Sequence, residues 1–565
     1  MRRTNRVTAA SRSALLVAGL LSTAGCAGSF QPFPPRAPLW IDPDRRPFAA
    51  KLEPTFSGTR WDALDKSVFR PVSRFFAVDP GGEALNVNAL DEVPSSSWFD
   101  NRGTHAALTP EAAGRGPCPT PLDDGVPWSI VGAKPNGADP GFLIKAPDGQ
   151  RYLIKLDEPQ QSERTSLADV VGSRVYYAAG FDVPCYGIVV FARENLQIAP
   201  GAQADRDTGE KIPLTWAQIE TTLARAKRLP DGRYRGGASR YLEGHPLGPW
   251  SYAGTRSDDR NDIVPHEDRR ELRGSRLLAA WTDHSDQRDQ NTLSMWIETE
   301  PGKGYVRHHL LDFGDSFGSL WEGPAQQAWR RGHAFWFGPG QILTDFVTFG
   351  TKSRPWDEAK LGPSGLTLGY YGIDDLDPDE WYPTYPNPAF GRMTERDAAW
   401  MARIMARMKR PQIEAMVAAA ELPPALHAEL VRIMLGRRDK ILARYLSRLS
   451  PLADVTIGAG PAGPALCARD LAHDNGLAPD ARRYALRAWS GVELTPRAAP
   501  ALALRAPGQP CVSLAESSAR GGEREYWVLE LSARDGERGP GPLRVHLYRR
   551  GRQFSLVGIE RPEAG

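Results

Sequence analysis

Three oxygen-bearing side chains stand at spacings that suit divalent-metal phosphate chemistry. Asp286 is followed five positions later by Asn291, and Asp312 opens the tripeptide Asp312-Phe313-Gly314. An Asp at a loop tip can orient a hydroxyl and take its proton. An Asn amide oxygen and a second carboxylate are the hard donors that Mg²⁺ accepts while it neutralises phosphate charge. Between them, Thr292 to Ile297 reads as a strand, Glu300 to Gly304 as a turn and Tyr305 to Leu311 as a returning strand. Such a hairpin brings Asn291 and Asp312 side by side. Alone, Asp-Phe-Gly carries little weight, because Asp and Asn gather in turns for local backbone reasons. The joint pattern, with a suitable lysine upstream, is what points to chemistry.

That lysine is Lys155. From Trp128 the chain reads as a β-meander, and Asp148-Gly149 between two alternating apolar runs is a hairpin signal. Gly132, Gly137 and Gly141 are expected in the preceding turn, where a backbone without Cβ can approach phosphates. Lys155 falls at the end of the hairpin's second strand, and a helix is predicted from Ser166 to Ala179, closed by Gly180. Asp169 and Glu163 are both candidates for the carboxylate that would pair with Lys155. Tyr186 to Phe191 and Tyr234 to Leu242 read as further strands, and Arg269 to Trp281 as a helix leading into Asp286. Thr394-x-x-Asp397 resembles a capping box ahead of the apolar stripe Trp400, Met401, Ile404, Met405. In the helix predicted from about Ala425 to Leu449, Arg437-Arg438-Asp439-Lys440 reads as a solvated face.

The 565 residues, 41% of them hydrophobic, are enough for several domains, and a net charge of +2 without a basic stripe argues against a nucleic-acid partner. Arg2, Arg3, Arg6 and Arg12 precede an apolar run from Ala14 to Leu21 and then Ser22-Thr-Ala-Gly25-Cys26, a secretory leader over 1–26. The small residues before Cys26 resemble a lipobox, with Thr23 where Leu is usual. Lipid on Cys26 would tether the chain to a membrane; the alternative is an ordinary cleaved leader with Cys26 incidental. Residues 27–60, rich in Pro and Arg, read as an extended tether. Pro451 to Pro464 reads as a linker, and short alternating strands from Leu466 onward as a β-rich module. Of the other cysteines, Cys467 and Cys511 are expected to pair, and Cys185 could remain a buried thiol. No C-x-x-C pattern points to zinc.

The segments A-D-V-V-G-S-R-V-Y-Y-A-A-G-F-D-V-P, H-E-D-R-R-E-L-R-G and A-W-T-D-H-S-D-Q-R-D-Q-N-T-L carry a resemblance to the protein-kinase-like superfamily. The likeness is to its atypical bacterial branch near the HipA-type and CotH-type kinases, and to a group of bacterial secreted proteins, over about residues 85–450. The resemblance implies an α+β, two-lobed fold: a β-rich small lobe with its N-terminal extension over 61–245, a helical large lobe over 246–450, a linker over 451–465 and a β-rich domain over 466–565. It implies ATP with Mg²⁺ or Mn²⁺ as cofactor. Lys155 would hold phosphates, Asp286 would act as base, and Asn291 and Asp312 would bind metal. His284-Ser-Asp286 lacks the arginine usual between the first and last of these positions. Where Asp169 stands the similar group carries Glu, so the shorter Asp would have to reach farther. The expected activity is phosphoryl transfer to a hydroxyl, on a protein, by a monomeric lipoprotein of the cell envelope, facing the periplasm or surface of the outer membrane. The alternatives are a ligand- or partner-binding protein of the same fold without catalysis, and nucleotidyl transfer.

Overall fold

The computed structural model describes residues 32–50, 52–55, 64–69, 72, 82–134, 139–205, 211–319, 339–352, 360–461, 463–514, 524–536 and 539–564. Cys26, with the leader, and Gly137 lie outside the described residues. The architecture is α+β, with a β-rich small lobe, a helix-rich large lobe and a C-terminal β-rich module.

The N-terminal arm contributes β1 (Phe48–Ala49). The small lobe is built from β2 (Trp128–Ala133), β3 (Gly141–Lys145), β4 (Arg151–Leu156), β5 (Tyr186–Phe191), β6 (Leu196–Asp205), β7 (Lys211–Pro213) and β8 (Tyr234–Arg240). They form one sheet in the order β5-β8-β4-β3-β2-β6-β7. Side chains alternate across a strand, so Tyr152, Ile154 and Leu156 of β4 face a core with Trp128, Phe142 and Ile144, covered by the helix Trp216–Ala224. Lys155 necessarily faces the other way. Each large apolar side chain buried there contributes roughly 1.5–3 kcal/mol.

Against the Lys155 face lies the helix Arg164–Ala179, in which only Tyr177 escapes burial. A helix buried on every side is wedged between two layers, here the sheet and the helices of the large lobe. Its start is fixed by Asp157 at the exit of β4, which accepts from the Ser166 N–H (2.8 Å) and Oγ (2.7 Å) and pairs with Arg235 at 3.3 Å. Gly237, opposite Lys155 in the ladder, faces the start of this helix, where a Cβ would stand in ordinary contact 3.5 Å from Ser166 Cα.

In the large lobe, β9 (His245–Gly248), β10 (Thr292–Glu300) and β11 (Lys303–Leu310) join β1 in the order β1-β11-β10-β9. The helices Arg270–Thr282, Glu395–Met405, Arg410–Ala418 and Pro424–Tyr445 enclose a core that includes Trp281, Trp400, Met401 and Ile404. Thr394 caps its helix as expected, accepting from the Asp397 N–H at 3.3 Å. Arg437 and Arg438 contradict the solvated-face reading, being 3% and 6% exposed.

The C-terminal module has two sheets. One holds β12 (Leu452–Gly460), β13 (Gly463–Asp470), β16 (Leu502–Ala506) and β17 (Gln509–Ser513). The other holds β14 (Arg483–Ser490), β15 (Thr495–Arg497), β18 (Arg524–Arg534), β19 (Leu543–Arg550) and β20 (Gln553–Glu560). Cys467 and Cys511 face each other across β13 and β17 and form the expected disulfide. Cys185 is not a thiol; it is bonded to Cys118. The span 451–465 is not a linker either. It is β12 and the turn into β13, recognisable only through main-chain pairing because its small residues bury little.

The arm over 27–60 is laid against the body where it is described. The Phe33 N–H donates to Tyr526 Oη (2.8 Å), Tyr548 Oη donates to the Phe33 carbonyl (3.2 Å), and β1 pairs with β11. Phe33 finds a seat because Gly558 has no side chain; a Cβ there would lie 2.3 Å from the ring.

A buried ionic hub joins the parts. Asp91 lies 2.6 Å from Arg270, 3.4 Å from Arg403 and 3.2 Å from Arg561, while Asp397 pairs with Arg270 (3.1 Å) and Arg273 (3.3 Å). Removing one partner of a buried pair leaves uncompensated charge. Asp91→Ala is therefore expected to cost about 3–5 kcal/mol in a denaturant titration, whereas an isolated surface pair such as Arg410–Glu414 should cost at most about 0.5 kcal/mol.

Candidate active site

Lys155 meets two carboxylates from different parts of the chain. Its Nζ lies 2.6 Å from Asp312 Oδ1 and 3.2 Å from Asp169 Oδ2, so the shorter Asp does reach. Asp169 is buried in the helix, and its Oδ1 accepts from the Phe313 N–H at 3.1 Å. Asp312 has φ 51°, the left-handed region that a non-glycine residue adopts at a cost, and its Oδ1 also accepts from the Gly314 N–H at 3.3 Å. Phe313 is wholly buried beside Tyr176, Tyr186 and His284, with ring centroids 5.0, 6.1 and 5.5 Å away. Gly172 makes room for it, since a Cβ there would fall 2.7 Å from Phe313 Cβ.

Burial alone disfavours the Lys155 ammonium, but Asp169 and Asp312 outweigh it and hold the pKa well above its ordinary value. Burial pushes Asp169 up against the pull of Lys155. For Asp312 the Lys155 ammonium overcomes the loss of solvent and holds the carboxyl well below the usual range. Its side chain is 48% exposed, the outward-facing member of the trio.

The loop carrying Asp286 is set by the end of the helix Arg270–Thr282, where Asp283 turns the chain with φ 54°. The last carbonyls of that helix lack helical partners. Arg437 supplies them, donating to Ala280 (2.6 Å) and Trp281 (3.0 Å), and Tyr371 Oη adds a bond to Trp281 at 2.8 Å. His284 is buried, its pKa lowered to about 4 by loss of solvent, so its ring is neutral. Its Nε2–H donates to the Asp312 carbonyl (3.1 Å), which assigns Nδ1 as acceptor for the Gln287 amide and Tyr176 Oη. Asn291 Nδ2 donates to the Asp286 carbonyl (2.7 Å) and Oδ2 (3.0 Å), and Arg288 Nε lies 3.0 Å from Asp286 Oδ1. The Leu311 N–H donates to the Asn291 carbonyl at 2.9 Å, and Thr292 pairs with Leu310 in the ladder. The hairpin therefore does set Asn291 beside the strand leading to Asp312.

Two expected residues stand elsewhere. Glu163 precedes the helix with φ 65° and pairs with Lys227 at 3.1 Å, so of the two candidates it is Asp169 that joins Asp312 at Lys155. Gly132 is inside β2, not in a turn over phosphates. A Cβ there would lie 3.3 Å from the Gln203 carbonyl of β6, so its bareness serves strand packing. Lys145, at the end of β3, is exposed. The sequence reading missed Lys134, whose Nζ donates to the Asp139 carbonyl at 2.9 Å, and Asp139, whose carboxylate lies 3.8 Å from Arg164. It also missed Asp315, although the letters D-F-G-D stand in plain view. Burial pushes the Asp315 carboxyl up to about 7, with Asp286, Asp312 and Asp139 adding repulsion and Arg164 opposing it.

Among the described residues, no three His, Cys, Asp or Glu side chains gather into a ready-made metal cage. The donor set nevertheless fits Mg²⁺ or Mn²⁺ held partly by nucleotide. Asp312 offers an exposed, ionised carboxylate, Asn291 sits on the adjoining hairpin, and the crowding felt by Asp315 is what a divalent cation relieves.

Two outcomes are expected. Asp315 titrates near 7 in the fold against 3.8 ordinarily, so the folded state binds the extra proton between those values. Its contribution to stability is present at low pH and is lost as pH rises through about 7. The melting temperature of Asp315→Asn should therefore gain on that of the parent chain between these limits. Gly172→Val should cost about 1–3 kcal/mol through overpacking against Phe313, measured by denaturant titration.

No family model and no curated protein matches the chain. Three solved structures resemble it in part. The Helicobacter pylori proinflammatory kinase CtkA is 10% identical, with 58% of this chain and 98% of that one covered at a TM-score of 0.30. A structure of the Golgi casein kinase is 11% identical, with 64% and 90% covered at 0.23. Another, with Mn/ADP bound, is 12% identical, with 51% and 73% covered at 0.22. Overlaps this loose assign no residue role to this chain, and the roles rest on the side-chain geometry.

Proposed function

We propose that this chain is an envelope-anchored phosphotransferase that moves the γ-phosphoryl group of metal-bound ATP to a hydroxyl on a protein. The observation that carries the reading is the junction of Lys155 with Asp169 and Asp312, a buried ammonium beside a half-exposed carboxylate. Lys155 would hold nucleotide phosphates and keep Asp312 ionised. Asp312 and Asn291 would hold Mg²⁺ or Mn²⁺, which when bound neutralises phosphate charge. Asp286 would orient the acceptor hydroxyl and take its proton as the new oxygen–phosphorus bond forms and the bond to the departing ADP oxygen breaks. Arg288 stands beside it, 3.0 Å from its Oδ1. Catalysis in this scheme is positioning and charge neutralisation, with no covalent enzyme intermediate.

One observation favours a second reading, nucleotide or partner binding without turnover. Asp286 already engages Arg288 and Asn291, so its oxygens are partly occupied before any substrate arrives. Anchoring through lipid on Cys26 and an envelope location belong to the same proposal and rest on the leader's residues, and the proposal takes the chain as a monomer.

The expected outcome is a rise in melting temperature with ATP plus Mg²⁺ or Mn²⁺ that Asp312→Ala abolishes. With labelled ATP, γ-³²P but not α-³²P should follow the protein acceptor, and the reverse would indicate nucleotidyl transfer. Asp286→Asn should lower the turnover rate by roughly 10²–10⁴-fold while keeping the thermal shift. A shift without label transfer in the parent chain selects the second reading.

A further inference from the structure

The C-terminal module contains a cavity of about 420 Å³ that the cleft chemistry does not use. That is within the range of small-molecule sites. Its floor is the inner face of the β14–β20 sheet. Glu525, Trp527 and Leu529 alternate along β18, and Leu547 and Arg549 lie opposite them on β19, with the pairs Trp527↔Leu547 and Glu525↔Arg549 in register. Phe554 of β20 pairs with Arg549. The facing wall is Leu514 with the end of β17, the strand that the Cys467–Cys511 disulfide ties to β13. The wall is thus fixed before any ligand arrives, which lowers the ordering cost of binding.

Polar groups converge at one end. Arg549 is only 6% exposed, yet its Nε donates to the Gly551 carbonyl (2.9 Å) and its nearest carboxylate, Glu525, is 3.9 Å away. Its two terminal nitrogens make no hydrogen bond among the described residues. Glu525 is turned toward Ser490, whose Oγ donates to it at 2.8 Å and accepts from Arg497 Nε at 2.8 Å. Two guanidinium groups therefore line the rim against one carboxylate. Trp527, 9% exposed, also keeps an indole N–H without a partner among the described residues.

We propose that this cavity is a binding site for a small amphiphilic anion, with its charged head on Arg549 and its apolar body against Trp527, Leu529, Leu547 and Phe554. A wholly polar ligand would leave the apolar floor uncovered, and a hydrocarbon would leave the terminal nitrogens of a nearly buried guanidinium without a hydrogen-bond acceptor, Glu525 lying 3.9 Å off. Carboxylate and phosphate heads share this chemistry. The site is independent of the phosphotransferase reading.

The test is calorimetric titration of the full chain with decanoate, decyl phosphate and decanol. The anions should bind at least about tenfold more tightly than decanol, the factor expected of one charge-assisted contact, and the tighter anion identifies the head group. Arg549→Met should bring the anions down to the level of decanol, Arg549→Lys should keep part of the preference, and Leu529→Trp should abolish binding of all three. Melting curves of the variants establish that each is folded, and Leu547→Trp replaces Leu529→Trp if the latter is not. Absence of anion binding up to roughly 1 mM, equal affinity for decanol, or undiminished binding in the filled cavity would overturn the proposal.

Discussion

A single buried ammonium organises this molecule. Lys155 sits on the side of the small-lobe sheet away from that lobe's own core, where an unpaired charge would cost several kcal/mol. A carboxylate partner is therefore required, and the chain supplies two, one from a helix and one from the loop after β11. Satisfying one charge thereby locks three distant segments together. Asp169 extends the lock by accepting from the Phe313 main chain, and the Phe313 ring then fills the space that Gly172 leaves. The cleft and the core between the lobes are consequently one structure, and neither can relax alone.

The opposite wall of the cleft is controlled by main-chain groups at a helix end. The carbonyls of Ala280 and Trp281 point out of the helix Arg270–Thr282 and would be orphaned in the interior. Arg437 and Tyr371 satisfy them, and this fixes where the chain emerges toward Asp286. His284, neutral because it is buried, then ties the emerging loop to the Asp312 carbonyl. Asp286 and Asp312 are thus positioned through one imidazole, although they lie on opposite sides of a hairpin.

What could be read from the sequence was what short-range pattern encodes. Lys155, Asp286, Asn291 and Asp312 were legible because each belongs to a local motif flanked by elements of clear period. The choice between Glu163 and Asp169 was not, because it depends on where the helix begins and on a left-handed residue just before it. Arg437 was misread for a related reason. A run of charged letters on a long helix reads as solvated, and only tertiary packing reveals that its guanidinium caps another helix. Lys134 and Asp139 reach the cleft through sheet register, which spacing does not carry. The strand at 452–460 escaped because Gly and Ala pair through their main chain while burying almost no side-chain surface.

The hub at Asp91 alters how the chain should be divided. Arg561 follows β20 of the C-terminal module, yet its guanidinium shares Asp91 with Arg270 at the start of the helix that leads to Asp286. A cut near residue 450, natural from composition, would pass through this shared charge and strip a cation from the acid that both halves use. The module is accordingly a keystone of the two-lobed body and not a pendant to it.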